Sequence, residues 1–367
     1  MEKKLKINFI LPFIVKTGGI IVVLEYYRKL NALGHDVEIY YPLVPYWNLM
    51  PPKLKSSRKI KIFITLLVRN VFRKKKNLIT WHFEHVPVKP VPIINKFFIK
   101  NADVTVATTW ITAFNVAKLP LRKGRKFYFI QDYENWFDNT NLINKSYELP
   151  LKLITISPWL SELMKNKFNR EITGEIVNGI RLDKFIPPEK KEIKNSVLML
   201  YHEQELKGSK DGISALNMIC KEYSDIEVTL FGIYQRPDYL NSEFNYIQNP
   251  PVEKLISLYQ KATIFIFPSH QEGWGLPPME AMACGCAVVA TNVGCIRSVN
   301  NGKNVLIVNS NDPVSIYNAL KKLLENSLLK DQIAKEGYMT VQDYTWEKAA
   351  LKMESTLYKV LQEDDYK

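Results

Sequence analysis

Two carboxylates eight positions apart, Glu272 and Glu280, bracket the run Gly273-Trp274-Gly275-Leu276-Pro277-Pro278-Met279. A carboxylate can accept hydrogen bonds from two neighbouring hydroxyls, as the acidic residue of dinucleotide sites does with a ribose. Glu280 could hold a ribose in this way, and Glu272, farther out in a loop, could face a sugar. Gly273 and Gly275 let the backbone turn and approach a ligand closely. Pro277 and Pro278 suit a first helical turn, where a missing N–H costs little. Such a turn offers free N–H groups and a positive dipole end, so a diphosphate would lie near the backbone of Gly275 and Leu276. Two glutamates at this spacing also fit a Gly/Pro turn before an ordinary helix with a solvated Glu280.

The elements that must position these residues alternate between strand and helix. Strands fit Leu5 to Leu11, Val37 to Tyr41, Val104 to Ala107, Phe127 to Ile130 and Leu153 to Ile156. A helical period runs from Ile20 to Leu33 and stops at Gly34, a good C-cap. The alternation restarts after residue 190. Strands at 196–201, 226–231, 264–267 and 287–290 are interleaved with helices at 211–223, 252–261 and 276–283. This β-α-β order predicts parallel sheets covered by helices. Ile186-Pro187-Pro188-Glu189-Lys190-Lys191 has linker composition. The fold class is therefore α/β, with two Rossmann-like halves in succession. Ligands of such sheets bind beyond the C-terminal strand ends.

Composition narrows the class further. A length of 367 residues with 46% apolar content supports two or three cored domains rather than a fibrous or disordered chain. Residues 1–185 hold 31 Lys and Arg against 14 Asp and Glu, whereas the remainder holds 19 against 23, so the two halves suit different partners. The opening MEKKLKINFILPFIV is basic and then apolar, but the apolar run is short and no small-residue cleavage site follows, so it reads as a buried first strand. No stretch of 18 apolar residues predicts a transmembrane helix. Cys220, Cys284, Cys286 and Cys295 show neither a disulfide framework nor zinc-ligand spacing, and read as buried thiols in a reducing compartment. The histidines are scattered and no D-x-D occurs, so no metal site and no cofactor are expected.

The string from Glu272 to Gly285 closely resembles E-G-x-G-L-P-x-x-E-A-M-A-x-G, the signature of the large retaining family of GT-B glycosyltransferases called family 4 or group 1. The resemblance implies a GT-B fold whose two domains face each other across a cleft: residues 1–185 on the acceptor side, 186–345 holding a nucleotide-sugar donor, and a helix within 346–367 crossing back to the first domain. It implies that Glu272 contacts the donor sugar at the reacting centre and that Glu280 binds the ribose. Val177-Asn178-Gly179-Ile180 is similar to the family's V-x-N-G segment, and Asp343-Tyr344-Thr345-Trp346-Glu347 to its F-S-W-E segment. Lys207-Gly208 matches the family's K-G, where the lysine would neutralise donor phosphate; by itself it reads as a surface charge. Gly18 and Gly19 stand where the family has its glycine loop. One departure is plain: many members carry Gly-Arg at the end of the strand before Lys207, the Arg pairing with the diphosphate, and this chain has Tyr201-His202-Glu203. His202 could supply a hydrogen bond instead.

The implied reaction moves a sugar to a glycan or lipid-linked acceptor, with retention and without a metal, in cell-surface polysaccharide or glycolipid synthesis. Acceptor contacts should follow the first domain's strands, at Trp81-His82-Phe83-Glu84-His85, Thr108-Thr109-Trp110 and Gln131-Asp132-Tyr133-Glu134. Asp132 reads either as a direct catalytic participant or as a strand-end cap, and His82 and His85 as acid/base groups or surface residues. The segment 53–76, basic at both ends with an apolar centre, reads as a helix lying on an anionic membrane or as a buried helix with solvated flanks. The enzyme would then be cytoplasmic, or peripheral at the inner face of the membrane. No recognised nucleic-acid module accompanies the basic half. The alternatives are a nucleotide-sugar epimerase and a noncatalytic nucleotide-sugar-binding protein on the same fold. The intact pair of glutamates argues against both.

Overall fold

The computed structural model describes residues 4–15, 17–44, 64, 78–81, 84–134, 140–191 and 195–365. The segment 53–76, apart from position 64, and residues His82 and Phe83 lie outside the described residues. The chain divides into two compact units, one comprising Met1–Val177 with Trp346–Lys367 and the other Asn178–Thr345.

The first unit is built on a parallel sheet. Its strands are β1 (Lys6–Ile10), β2 (Asp36–Pro42), β5 (Lys89–Val91), β6 (Val104–Ala107), β7 (Arg125–Ile130), β8 (Lys152–Thr155) and β9 (Ile172–Glu175), in the order β5-β2-β1-β6-β7-β8-β9. Between β2 and β5, β3 (Leu78–Trp81) and β4 (Glu84–Pro87) pair as an antiparallel hairpin. The central strands are buried on both faces, as a doubly covered parallel sheet requires: Ile7, Phe9, Val106, Phe127 and Phe129 on one, Ile10, Ala107, Tyr128 and Ile130 on the other. The helix Gly18–Ala32 follows β1 and ends as Gly34 turns to φ 96°. Its Tyr26 meets Phe129 edge-on at 5.4 Å and Trp346 at 5.6 Å. Trp346 opens the last helix, Trp346–Asp365, whose Glu354 is 2.8 Å from the His35 ring Nε2 and whose Glu347 pairs with Lys29. The chain's final helix is thus part of the first unit's fabric.

The second unit repeats the plan with β10 (Ser196–Leu200), β11 (Glu227–Gly232), β12 (Asn245–Gln248), β13 (Ile264–Phe267), β14 (Ala287–Thr291) and β15 (Leu306–Val308), ordered β12-β11-β10-β13-β14-β15 and parallel throughout. Its core gathers Met199, Leu216, Leu230, Ile266, Val289 and Leu320. The division falls at Val177 rather than at the expected 185/186. Ile180 donates its N–H to the Tyr344 carbonyl at 2.8 Å, Phe185 packs edge-on against Tyr259 at 5.9 Å, and the Ile186 carbonyl accepts from Gln260. The Pro-containing stretch expected as a linker therefore adheres to the second unit. Lys191 goes further, donating to the carbonyl of Ala262 just beyond the helix Val252–Lys261.

In each sheet the strand order reverses beside the first strand of its unit, between β1 and β6 and between β10 and β13. Ligands of open parallel sheets lie in the crevice outside such a switch point.

Candidate functional site

The switch point of the second unit brings together the loops after β10 and β13, and with them Lys207 and Glu272. Lys207 ends a short 3-10 turn, Glu205–Lys207, and its ammonium is 2.9 Å from Glu272 Oε2. Glu272 Oε1 accepts a hydrogen bond from the Ser269 hydroxyl at 3.0 Å. Ser269 is buried, and its carbonyl accepts from the Thr291 hydroxyl at the end of β14. One carboxylate is therefore oriented from two sides, by a cation from the β10 loop and a hydroxyl anchored on β14.

Backbone clearance fixes the same loop. Gly275, at φ 83°, precedes the helix Leu276–Ala283, and a Cβ there would lie 2.8 Å from the Phe267 ring. Gly294, at φ 56°, is tighter: an added Cβ would come within 2.3 Å of the Trp274 carbonyl and 2.8 Å of Glu272 Cβ. Cys295 donates its N–H to Trp274 O and its thiol to Gly275 O at 3.0 Å, so the turn after β14 clamps the Glu272 loop. Gly208, at φ 62°, approaches the β13 loop just as closely, with the Pro268 carbonyl 2.0 Å from a hypothetical Cβ. The His270 N–H bonds Leu206 O at 2.7 Å, and its ring Nε2 is 2.7 Å from Asp211 Oδ2. Three loops are laced into one surface at the strand ends.

Glu280 lies one turn into the helix that begins at Leu276, with Pro277 and Pro278 at its start. It is half-buried, and Tyr259 donates its hydroxyl to Oε2 at 2.9 Å. Burial pushes the carboxyl up to about 7, against the pull of that hydrogen bond. Tyr259 itself is fully buried among Phe185, Phe231 and Phe265, and its phenol is held well above the usual range by burial and by Glu280. The rigid phenol makes Glu280 a fixed acceptor that ionises near neutrality.

His202, expected as a stand-in for a phosphate-binding cation, is engaged within the chain. Its Nδ1 accepts the Gln204 N–H at 3.0 Å, and Nε2 lies 3.3 Å from the Tyr234 hydroxyl, with the two rings edge to face at 4.8 Å. Burial, helped by the charge of Lys207, pulls its pKa down to about 4. The ring is neutral at pH 7. Since Nδ1 accepts, Nε2 carries the proton and donates to Tyr234. Tyr234 keeps its own hydroxyl hydrogen for a further acceptor. Trp274, which sits within the expected donor-binding run from Glu272 to Glu280, is only 2% exposed, with its ring 6.2 Å from that of Tyr344. Its side chain shapes the loop from inside the domain, because a buried ring has no surface to offer a ligand. Gly273 is buried as well, whereas Leu276 opens the helix half-buried.

In the first unit, Gly18 and Gly19 begin the helix after β1. A Cβ on Gly18 would meet open space, and one on Gly19 would come within 3.3 Å of Gln131 Oε1. The loop after β7 thus reaches the loop after β1. Asp132 Oδ1 accepts the Tyr133 N–H at 2.8 Å, as a strand-end cap does. Its neighbour Glu134 is strongly perturbed. Burial, with a contribution from the Asp132 charge, raises it to about 8 even though Oε2 accepts the Trp110 N–H at 2.9 Å. Of the hairpin candidates, Trp81, Glu84 and His85 are placed on β3 and β4 by backbone alone.

Sequence reasoning missed Ser269, Thr291, Gly294, Cys295 and Tyr259. Asn292-Val293-Gly294 carried a usable signal, a glycine directly after a strand. Tyr259 carried none, since its contact with Glu280 joins consecutive helices on either side of β13.

The family model described as glycosyl transferases group 1 matches residues 181–340. D-inositol 3-phosphate glycosyltransferase of Corynebacterium diphtheriae is 35% identical over 111 residues, which is 30% of this chain and 26% of that protein. The match therefore spans about a quarter of that relative's length. The N,N'-diacetylbacillosaminyl-diphospho-undecaprenol alpha-1,3-N-acetylgalactosaminyltransferase of Campylobacter jejuni is 25% identical over 344 residues, covering 80% of this chain and 89% of that protein. Among solved structures, Anabaena HepE in complex with UDP-glucose superposes with a TM-score of 0.73 at 14% identity, covering 97% of this chain and 100% of that one. The shared architecture is the two-domain GT-B fold. Residues 181–340 thus match the group 1 glycosyl transferase model, and the chain as a whole is built on the GT-B fold.

Proposed function

We propose that the protein is a glycosyltransferase that takes a sugar from a nucleoside diphosphate sugar and passes it to a hydroxyl of a glycan or lipid-linked acceptor, with retention and without a metal ion. The observation that carries this reading is the pairing of an oriented Glu272–Lys207 couple with a tyrosine-held Glu280 at one switch point. In this reading Glu280 accepts the two ribose hydroxyls. The diphosphate lies over the start of the helix Leu276–Ala283, where the backbone N–H groups of Gly275 and Leu276, the positive helix end and Lys207 meet its charge. As the bond from the anomeric carbon to the phosphate oxygen breaks, positive charge grows on the sugar and negative charge on the leaving diphosphate. Glu272 opposes the first, and Lys207 with the helix terminus the second. The acceptor oxygen bonds the anomeric carbon, and its proton passes to the departing phosphate.

Support for the donor class comes from the relatives: Anabaena HepE is known in complex with UDP-glucose. Support for a lipid-linked acceptor comes from the Campylobacter jejuni enzyme, whose name includes a diphospho-undecaprenol. Such a substrate would place the reaction on the cytoplasmic side of a membrane. No helix among the described residues is long and apolar enough to cross one.

A panel of UDP-, GDP- and dTDP-sugars, read for binding and donor hydrolysis, tests the reading. One nucleotide should be preferred, and Glu272→Ala should abolish turnover while leaving nucleotide binding measurable. No binding across the panel, or full turnover by the alanine variant, refutes it.

A further inference from the structure

Large apolar side chains are seldom gathered in water without a partner. In the first unit Phe97 is 76% exposed, Phe98 43% and Leu121 80%. They occupy two loops at one end of the sheet, one leading into β6 and the other, the 3-10 turn Leu121–Lys123, into β7. Lys123 ties the loops together: its ammonium donates to the Ile99 carbonyl and, at 3.0 Å, to Asn101 Oδ1. Gly124 closes the seam, since a Cβ there would lie 2.4 Å from the Asp103 backbone. Asn95 Oδ1 accepts the N–H groups of Phe97 and Phe98 at 2.9 and 3.3 Å, so the turn that displays both rings is itself bonded. The exposure is built into the fold.

The rim of this surface is basic. Lys96 and Lys118 are exposed, as are Arg122 and Arg125. The Lys96 ammonium is 5.0 Å from the Phe97 ring centroid. Residues 118–126 contain no acid, and the Asp103 carboxylate accepts the Lys6 N–H at 2.7 Å.

We propose that this surface docks the protein on an anionic lipid bilayer. Phe97, Phe98 and Leu121 enter the boundary between headgroups and acyl chains, where aromatic residues are favoured, and the surrounding cations meet lipid phosphates. A second copy of this chain is a poorer occupant, because it would bring an identical basic rim against this one. Docking here turns the acceptor loops away from the bilayer, toward an acceptor whose glycan reaches out from the lipid. The patch precedes β6 and β7, whereas Thr108–Trp110 and Gln131–Glu134 follow them, about 20 Å away along six-residue β7. The surface is separate in sequence from residues 53–76.

The test is cosedimentation of the full chain with vesicles of phosphatidylcholine alone or mixed with phosphatidylglycerol. The wild type should pellet with the mixed vesicles, and less so in high salt. Phe97→Ser with Leu121→Ser should weaken binding at least tenfold. Arg122→Ser with Arg125→Ser should weaken it about twenty-fivefold, from roughly fivefold per cation at an anionic surface. All these side chains are exposed, so melting temperatures should match the wild type, which separates lost docking from lost folding. The proposal is overturned if the wild type pellets equally with both vesicle types. It is also overturned if both double variants bind as the wild type does, or if light scattering shows that they instead dissolve an oligomer.

Discussion

Glu280 makes the donor site sensitive to pH in a direction that can be worked out. In the free protein its carboxyl ionises near about 7 because burial disfavours the charge. Relative to an ordinary carboxyl near 4.5, this is about 3 kcal/mol of extra cost for holding the anion. Two ribose hydroxyls can donate only to the ionised form without losing an acceptor lone pair. Donor binding must therefore remove the proton wherever the free site carries one. A nucleotide sugar is a good probe because its diphosphate is esterified at both ends and does not itself titrate near neutrality. The dissociation constant should be level above about pH 8 and rise about tenfold per pH unit below 7, so binding at pH 5.5 should be about thirtyfold weaker than at pH 8. Calorimetry with the tightest-binding sugar nucleotide, in buffers of different ionisation enthalpy, should show about half a proton released per donor bound at pH 7. Glu280→Gln should bind more weakly at pH 8 and lose the slope. Tyr259→Phe should move the inflection upward, by about one pH unit, because it removes a bond that favours the anion. Equal affinities at pH 5.5 and 8 in the wild type, or an unchanged slope in Glu280→Gln, would refute the reasoning.

Other expectations concern the same groups and their neighbours. Gly294→Ala should lower the unfolding free energy by about 2 kcal/mol, because an L side chain is strained at that φ and meets the Trp274 carbonyl; a denaturant titration reads this, and turnover should fall with it as Glu272 is pushed aside. Lys207→Met should reduce kcat/KM on the order of a hundredfold, and a parallel fall in affinity for the product nucleotide would mark the phosphate share of its role. Glu134 is raised to about 8 in the folded state, so the wild type should lose stability as pH rises from about 4.5 through 8. Glu134→Gln should be comparatively more stable at pH 9 than at pH 5, and unfolding midpoints that track the wild type at both values would remove the buried acid from the account.

The sequence carried the fold at high definition where strands are fully buried. The runs around Phe265 and Val289 are apolar on both faces and bounded by turns, so β13 and β14 could be read almost to the residue. Edge strands were not legible. β12 reads Asn-Tyr-Ile-Gln and β9 Ile-Thr-Gly-Glu, with no fully buried position in either, so their composition is that of a loop. The site divides in the same way. Glu272 and Glu280 stand within one short motif, whereas the groups that orient them come from β14, from the helix before β13 and from the β10 loop. Long-range contacts of that kind leave no local pattern. His202 illustrates a different limit: its residue type suggested a ligand, and only its two ring contacts reveal a neutral ring spent on Tyr234.

The last helix has a consequence in time. Trp346 and Glu354 complete the first unit by covering Tyr26 and His35, yet every residue of Asn178–Thr345 is synthesised between the two parts. At ribosomal speeds of about 5–20 residues per second, the first unit waits roughly ten to thirty seconds for its final piece. Throughout that interval the face around Tyr26 and Leu30 has no cover from its own chain, while the second unit, contiguous in sequence, can fold as it emerges. The emerging chain thus finishes its domains in the reverse of the order in which it begins them, and the opened face of the first is where a chaperone would be needed.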